Sequence, residues 1–190
     1  DMYTLKGGGE EVFEPHFTFQ GFRYVQIKGY PGTLTPDKIR GMVIHSDMMP
    51  TGSFSCSDTL VNQLQHNIVW GLKGNFLDVP TDCPQRDERL GWTGDAQVFA
   101  PTACFNMNTA TFYTKWMKDL ATDQQSDGLV PHVIPNILDG GGATGWADAA
   151  VVIPWVVYQS FGDVSILENQ YESMKAWIGY MEQQAGEDYI

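Results

Sequence analysis

The segment Asp95-Ala96-Gln97-Val98-Phe99-Ala100-Pro101 recurs 53 positions later as Asp148-Ala149-Ala150-Val151-Val152-Ile153-Pro154. Both copies follow the pattern D-A-x-V-x-x-P, and a Gly-Trp pair precedes each, Gly91-Trp92 and Gly145-Trp146. In both, a polar loop leads into an apolar helix with proline in its second turn, and a more charged helix follows. A lone hairpin of this kind cannot bury its apolar face, so a helical-pair repeat points to a toroid or solenoid of hairpins. The apolar first helices would line the inside. The charged second helices, with Lys115, Lys118 and Asp119 and then Glu168, Glu172 and Lys175, would face outward. Proline is costly in mid-helix, and its recurrence suggests a kink that the architecture uses.

Around this repeat the helical period predicts five helices. Leu60, Leu64 and Ile68, flanked by Val61, place an apolar stripe on a helix from about Asp58 to Lys73. Helices follow at Asp95 to Asn106, Thr109 to Gln125, Trp146 to Phe161 and Asp163 to Gln184, with Gly162 breaking the last pair. The first fifty residues read differently. Phe17 to Lys28 is aromatic and β-branched with a bulge or bend at Gly21, and Ile39 to His45 reads as another strand. Two or three strands cannot form a stable sheet alone. Residues 1–53 are therefore expected to be the end of a β-domain and 54–190 the start of a helical one. The chain opens at Asp1 without an initiator methionine, which suggests a segment of something longer.

With 23 acidic and 11 basic residues the net charge is −12. No Lys/Arg cluster offsets it, which argues against nucleic acid or an anionic membrane as partner. The longest apolar run, Ala149 to Tyr158, is broken by Pro154 and too short to span a bilayer. Three cysteines, Cys56, Cys83 and Cys104, show no metal-type spacing and cannot all pair within the chain.

The stretch Asp78 to Asp95 places five carboxylates in 18 residues, stiffened by Pro80 and Pro84, with Arg86 and Arg89 among them. Packed carboxylates raise one another's pKa, while a guanidinium keeps some ionised, so one site can hold a protonated acid beside charged partners. Tryptophan beside carboxylates suits a sugar, with its apolar face and rim of hydroxyls. The residues alone leave three readings open: a carboxylate-based active site, a calcium site without the regular loop pattern, or a structural salt-bridge loop.

The uninterrupted string P-T-D-C-P-Q-R-D-E-R-L-G-W-T-G-D-A-Q, Pro80 to Gln97, resembles the signature of bacterial α-L-rhamnosidases of glycoside hydrolase family 78. Gly21-Phe22-Arg23-Tyr24, Gly52-Ser53-Phe54 and Gly145-Trp146-Ala147-Asp148 agree with it, so the resemblance covers nearly the whole chain. It implies a mainly α fold: the first part of an (α/α)6 barrel, preceded by the last strands of a β-sandwich. It also implies hydrolysis of terminal α-L-rhamnose from glycosides or polysaccharides, with inversion and without a cofactor or metal. On this resemblance Glu88 falls on the general acid. Asp82, Arg86, Asp87 and Asp95 match residues that hold sugar hydroxyls, and Trp92 and Trp146 match aromatic walls. Arg86 is expected to face Asp87 or the substrate, because pointing at Glu88 would oppose a raised pKa there. The family's base lies on a loop further downstream. Glu168, Glu172, Glu182 and Glu187 lack that context.

Other candidates have plainer readings. His132 reads as a loop histidine bonded to backbone, Cys83 as a buried structural thiol, and Cys56 and Cys104 as small core residues. His16, His45 and His66 read as packed or surface residues. Trp70, Trp116, Trp155 and Trp177 read as core. Asp148 is expected to cap its helix, and Asp78 and Arg89 to support the motif. Two competing functions remain at this level: another inverting (α/α)6 glycosidase, since fold alone does not fix the sugar, and a rhamnose-binding domain without catalysis. Val151, Val152, Ile153, Trp155 and Val156 would need cover from helices of an incomplete ring, so self-association of the chain is expected.

Overall fold

The structure, a computed structural model, describes residues 1–186. It comprises α1 (Thr59–Asn75), a minimal hairpin β1 (Phe76–Leu77) and β2 (Val79–Pro80), α2 (Thr93–Asn106), α3 (Ala110–Asp123), α4 (Ala149–Phe161) and α5 (Val164–Ala185). The protein is mainly helical. Local chemistry sets several boundaries. Asp58 caps α1 by accepting from the amides of Leu60 and Val61, and Asp163 caps α5 at Ser165. Between α4 and α5, Gly162 takes φ +69° and donates to Tyr158 O at 2.8 Å, a left-handed stop that favours glycine.

α4 packs against α2, α3 and α5, and α3 also meets α5. The shared core takes Ala96, Ala100 and Ala103 from α2 and Ala149, Ala150, Ile153 and Val157 from α4. Small residues on adjoining inner helices let the backbones approach closely. Aromatic packing fills the space behind them: Phe76 stacks on Phe112 at 4.6 Å and meets Tyr113 edge-on at 5.9 Å. α2 and α4 both run through their prolines, Pro101 and Pro154, without a break. Lys115, Lys118, Glu168, Glu172 and Lys175 are exposed on α3 and α5, as the repeat implied. Among the described residues no helix is long and apolar enough to cross a membrane.

Several expectations need correction. No strand forms over Phe17 to Lys28 or Ile39 to His45. Neither segment pairs with the other, and a strand is stable only with a partner that supplies its ladder. Gly21 instead marks a close approach. Its amide donates to Pro84 O at 2.9 Å, and a Cβ there would lie 2.8 Å from Pro84 C. The fourth helix starts at Ala149; Trp146 to Asp148 form a turn ahead of it. Trp116 and Trp177 are core, but Trp70 and Trp155 are half-exposed, and Cys56 is exposed. Glu187 lies outside the described residues.

The bare apolar surface matches the expectation at Trp155 of α4, which is half-exposed, but not at the other residues named there. On α4, Ile153 is fully buried and Val151, Val152 and Val156 are partly covered. It is α1 and α2 that leave Leu60, Leu64, Val98 and Phe105 uncovered, at 58–79% exposure. Of the stripe that marks α1 as a helix, Leu60 and Leu64 are exposed and Ile68 is half-buried, while Val69 and Leu72 meet the core. Covering such side chains is worth about 1.5–3 kcal/mol each. The 190-residue chain made alone is therefore expected to self-associate at micromolar concentration, and Leu64→Lys with Val98→Lys to reduce that association. Light scattering behind size-exclusion chromatography is the check, and a monomeric parent chain would contradict it.

Candidate active site

The site is built on the loop that leaves the small hairpin. β1 and β2 pair antiparallel, Phe76 with Pro80 and Leu77 with Val79, around Asp78 at φ +67°. Thr81 then ties back to Asn75 O through its amide at 3.0 Å and its hydroxyl at 3.1 Å. From Asp82 to Leu90 the chain makes a closed loop. The Asp82 amide donates to Leu90 O, and the Leu90 amide donates to Asp82 Oδ1, both at 3.1 Å. Residues 19–21 brace it from outside: Arg89 Nη1 donates to Phe19 O at 2.7 Å with its guanidinium over the Phe19 ring, beside the Gly21–Pro84 contact. Asp78 pairs with Lys115 at 3.1 Å. Asp78 and Arg89 therefore support the loop, as expected.

Inside the loop stands Arg86. Its Nη2 lies 3.2 Å from Glu88 Oε2 and 3.4 Å from Asp82 Oδ2, and its Nε donates to Cys83 Sγ at 3.4 Å. Arg86 is thus turned to Glu88, against the expectation that it would face Asp87 or the substrate: the loop's curvature brings positions 82, 83 and 88 around it, and Asp87 is exposed. The Cys83 sulfur first, then the charge of Glu88, push the guanidinium's pKa up. Asp82, Cys83 and Glu88 also place one ligand atom each within 4.8 Å of one another, a spacing that could suit a metal ion. The guanidinium already bonds to all three groups and supplies the positive charge there. Cys83 is buried, as read from the sequence.

A second loop locks the start of α2. Ile134 N donates to Gly91 O at 2.9 Å, and Trp92 bridges to Val133. The amide and hydroxyl of Thr93 both donate to His132 O at 2.9 Å. Ile134 O in turn accepts from the buried Trp116 Nε1 at 3.2 Å. A Cβ on Gly91 would lie 2.1 Å from Ile134 O, so only glycine fits this seam. Trp92 is half-buried with its Nε1 unpartnered.

Beside this seam opens a cavity of about 750 Å³, lined by Asn75, Phe76, Thr81, Asp82, Gly94, Asp95 and Trp146 among others. Asp95 is exposed in the first turn of α2, where a carboxylate suits the helix dipole. Of the residues singled out in the sequence, Asp82, Arg86 and Glu88 meet in the loop, and Asp82, Asp95 and Trp146 share the cavity. Arg86, Asp87, Glu88 and Trp92 are not among its lining residues.

Three supporting residues escape the sequence reading or differ from it. Gln97 on α2 hydrogen-bonds Gly145 O through Nε2, and only its place in the repeat pointed to it. His132 was read as bonded to backbone, yet its Nε2 is buried without a partner and its ring leans on Trp146 at 5.8 Å. Asp148 makes no capping bond to α4; its carboxylate is engaged by Gly145 and Trp177 instead.

Residues 49–189 match the bacterial α-L-rhamnosidase six-hairpin glycosidase domain. The chain belongs to the bacterial α-L-rhamnosidase family. Residues 1–45 match that family's concanavalin-like domain. An α-L-rhamnosidase of Streptomyces avermitilis is 50% identical over 183 residues, which covers 96% of this chain and 18% of that protein. One from Formosa agariphila is 47% identical, covering 100% of this chain and 21% of its own length. The crystal structure of the Streptomyces avermitilis enzyme complexed with L-rhamnose superposes with a TM-score of 0.93 at 49% identity, over 97% of this chain and 18% of that one. Native rhamnosidase from Aspergillus terreus gives 0.82 at 48% identity, over 87% and 20%. The chain thus spans about a fifth of the length of the curated relatives it matches. A six-hairpin domain accounts for the repeat, since α2–α3 and α4–α5 are two such hairpins.

The seam makes a prediction specific to this family's Gly-Trp element. Gly91→Ala forces a methyl group onto a backbone carbonyl that is itself held by Trp116. The cost is expected to be about 3 kcal/mol, or roughly 6–12 °C in Tm for a chain of this size. Thermal unfolding followed by circular dichroism measures it, and an unchanged Tm would contradict the packing described.

Proposed function

We propose that this chain is the part of an inverting α-L-rhamnosidase that carries the general acid, Glu88, and most of the groups that grip the sugar. Its substrate would be a terminal α-L-rhamnose on a glycoside or polysaccharide. In that protein residues 1–53 would complete a β-sandwich and residues 54–190 would begin the barrel. The observation that carries the reading is the closed loop Asp82–Leu90, in which Arg86 joins Glu88 to Asp82, a residue that lines the cavity together with Asp95 and Trp146. The likeness to a rhamnosidase solved with L-rhamnose supports the sugar class.

The roles follow from the placement. Glu88 is 42% exposed at its side chain, accessible to a leaving-group oxygen. Its Oε2 is held by Arg86, so the acid proton would be delivered from the other oxygen, while Arg86 keeps the carboxyl from rotating. Asp82, Arg86, Asp87 and Asp95 would bind sugar hydroxyls, and Trp146 and Trp92 would pack on the sugar face and its methyl group. An inverting hydrolase needs a second carboxylate roughly 6.5–9.5 Å away, with room for water between. Asp82 is the near carboxylate, but it approaches Glu88 within 4.8 Å. Both its oxygens are also engaged, one by Leu90 N and one by Arg86. The resemblance to the family, whose base lies on a loop further downstream, assigns the base to a part of the protein beyond this chain. The close Asp82–Glu88 spacing favours one alternative, a retaining mechanism with Asp82 as nucleophile, since retaining pairs stand about 5–5.5 Å apart. Its buried, doubly bonded carboxylate is poorly placed for attack.

In the full-length enzyme, Glu88→Gln is nearly isosteric and deletes only the proton donor. Activity on rhamnosides with poor leaving groups is expected to fall by about a hundredfold or more. Aryl rhamnosides with activated leaving groups should lose far less, because their departure needs little protonation. Steady-state kinetics on both substrate types checks this; equal losses on both would exclude Glu88 as the acid.

A further inference from the structure

We propose that Asp148 is a positioning residue for Trp146: it fixes the indole at the cavity by holding the turn that carries it. The inference rests on the reading of Trp146 as a wall of the sugar site.

Trp146 is 42% exposed and belongs to a turn over residues 144–148, outside any helix. A turn of this kind has little stiffness of its own, yet a sugar wall must stand in one place. The fixing points lie on both sides of Gly145. Its amide donates to Asp148 Oδ2 at 2.8 Å, and its carbonyl accepts from Gln97 Nε2 on α2. Asp148 Oδ1 accepts from Trp177 Nε1 at 3.0 Å, and Trp177 is fully buried on α5. One carboxylate thus ties the Trp146 turn to the helix core with two charge-assisted bonds, which are shorter and stronger than neutral ones. Gly145 sits at φ +85° with nothing within 4 Å of a Cβ, so backbone conformation, not space, calls for glycine there.

The indole is seated as well as tethered. A Cβ on Gly94 would lie 2.9 Å from Trp146 Cδ1, so α2 comes directly against the ring. His132 closes from the side at 5.8 Å. The repeat sharpens the point. Asp95 and Asp148 occupy the same place in D-A-x-V-x-x-P, but among the described residues Asp95 lines the cavity without an internal bond, while Asp148 turns inward to Trp177 and Gly145. The first copy presents its carboxylate to the cavity; the second uses it to hold an aromatic there.

A double-mutant cycle in the full-length enzyme tests this, with KM and kcat for an aryl rhamnoside as readouts and thermal unfolding alongside. Trp146→Ala is expected to raise KM. Asp148→Ala is expected to raise KM by about tenfold with kcat little changed, and to add almost nothing in the Trp146→Ala background. Asp148→Asn, which keeps a carbonyl acceptor for one of the two donors, is expected to recover part of the loss. If Asp148→Ala does not fold, the nearly isosteric Asp148→Asn carries the same cycle. A full KM effect of the Asp148 variant persisting without Trp146 would overturn the proposal, as would an unchanged KM when Trp146→Ala raises it. An unchanged KM for Trp146→Ala itself would remove the wall reading, and the proposal with it.

Discussion

Two adjoining backbone seams hold the site together. Gly91, Trp92 and Thr93 meet Ile134, Val133 and His132 along an antiparallel run, backed by the Trp116 indole on Ile134 O. This contact starts α2 where it does, places Asp95 in its first turn, and brings the second loop, with His132, against Trp146. The other seam closes Asp82–Leu90 end to end, with Glu88 exposed on the loop. Both combine backbone hydrogen bonds with bonds from the side chains of Asp82, Thr93 and Trp116. Buried backbone groups must be paired, so loops without regular structure become as determined as helices. This explains how a long irregular stretch can hold catalytic groups in place: it is packed against another irregular stretch with glycine at the points of closest approach.

Charge is organised around a single guanidinium. Arg86 bonds to two carboxylates and one sulfur, and so occupies the centre of a cluster that could otherwise attract a cation. It neutralises Asp82 in a nearly buried position and fixes one oxygen of Glu88. In the role proposed for Glu88, fixed geometry of this kind is a large part of a catalytic group's effect.

The helices were legible because each carries a 3.6-residue period or a capping residue, as with Asp58 and Asp163, and those signals are local. The repeat was legible for the same reason. What failed was non-local. Phe17 to Lys28 has a strand's composition, but a strand needs a ladder partner, and among the described residues none stands beside it. The direction of Arg86 depended on loop curvature that no spacing encodes. Asp148 looked like a helix cap because its true partner, Trp177, lies a full hairpin away. For the site itself, the resemblance singled out Asp82, Arg86, Asp87, Glu88, Trp92, Asp95 and Trp146 as a group. Their division between an Arg86-centred loop and a cavity wall emerged only from the fold.

The account turns on Glu88 acting with a base outside this chain, not with the nearby Asp82. Those two arrangements differ in the stereochemistry of the product, because a distant base admits water from the opposite face while a near nucleophile is displaced in two steps. Proton NMR of the anomeric signal in the first minutes of hydrolysis by the full-length enzyme distinguishes them before mutarotation intervenes. Initial release of β-rhamnose from an α-rhamnoside is the predicted result; initial release of α-rhamnose would make the Asp82–Glu88 pair the catalytic one and contradict the account.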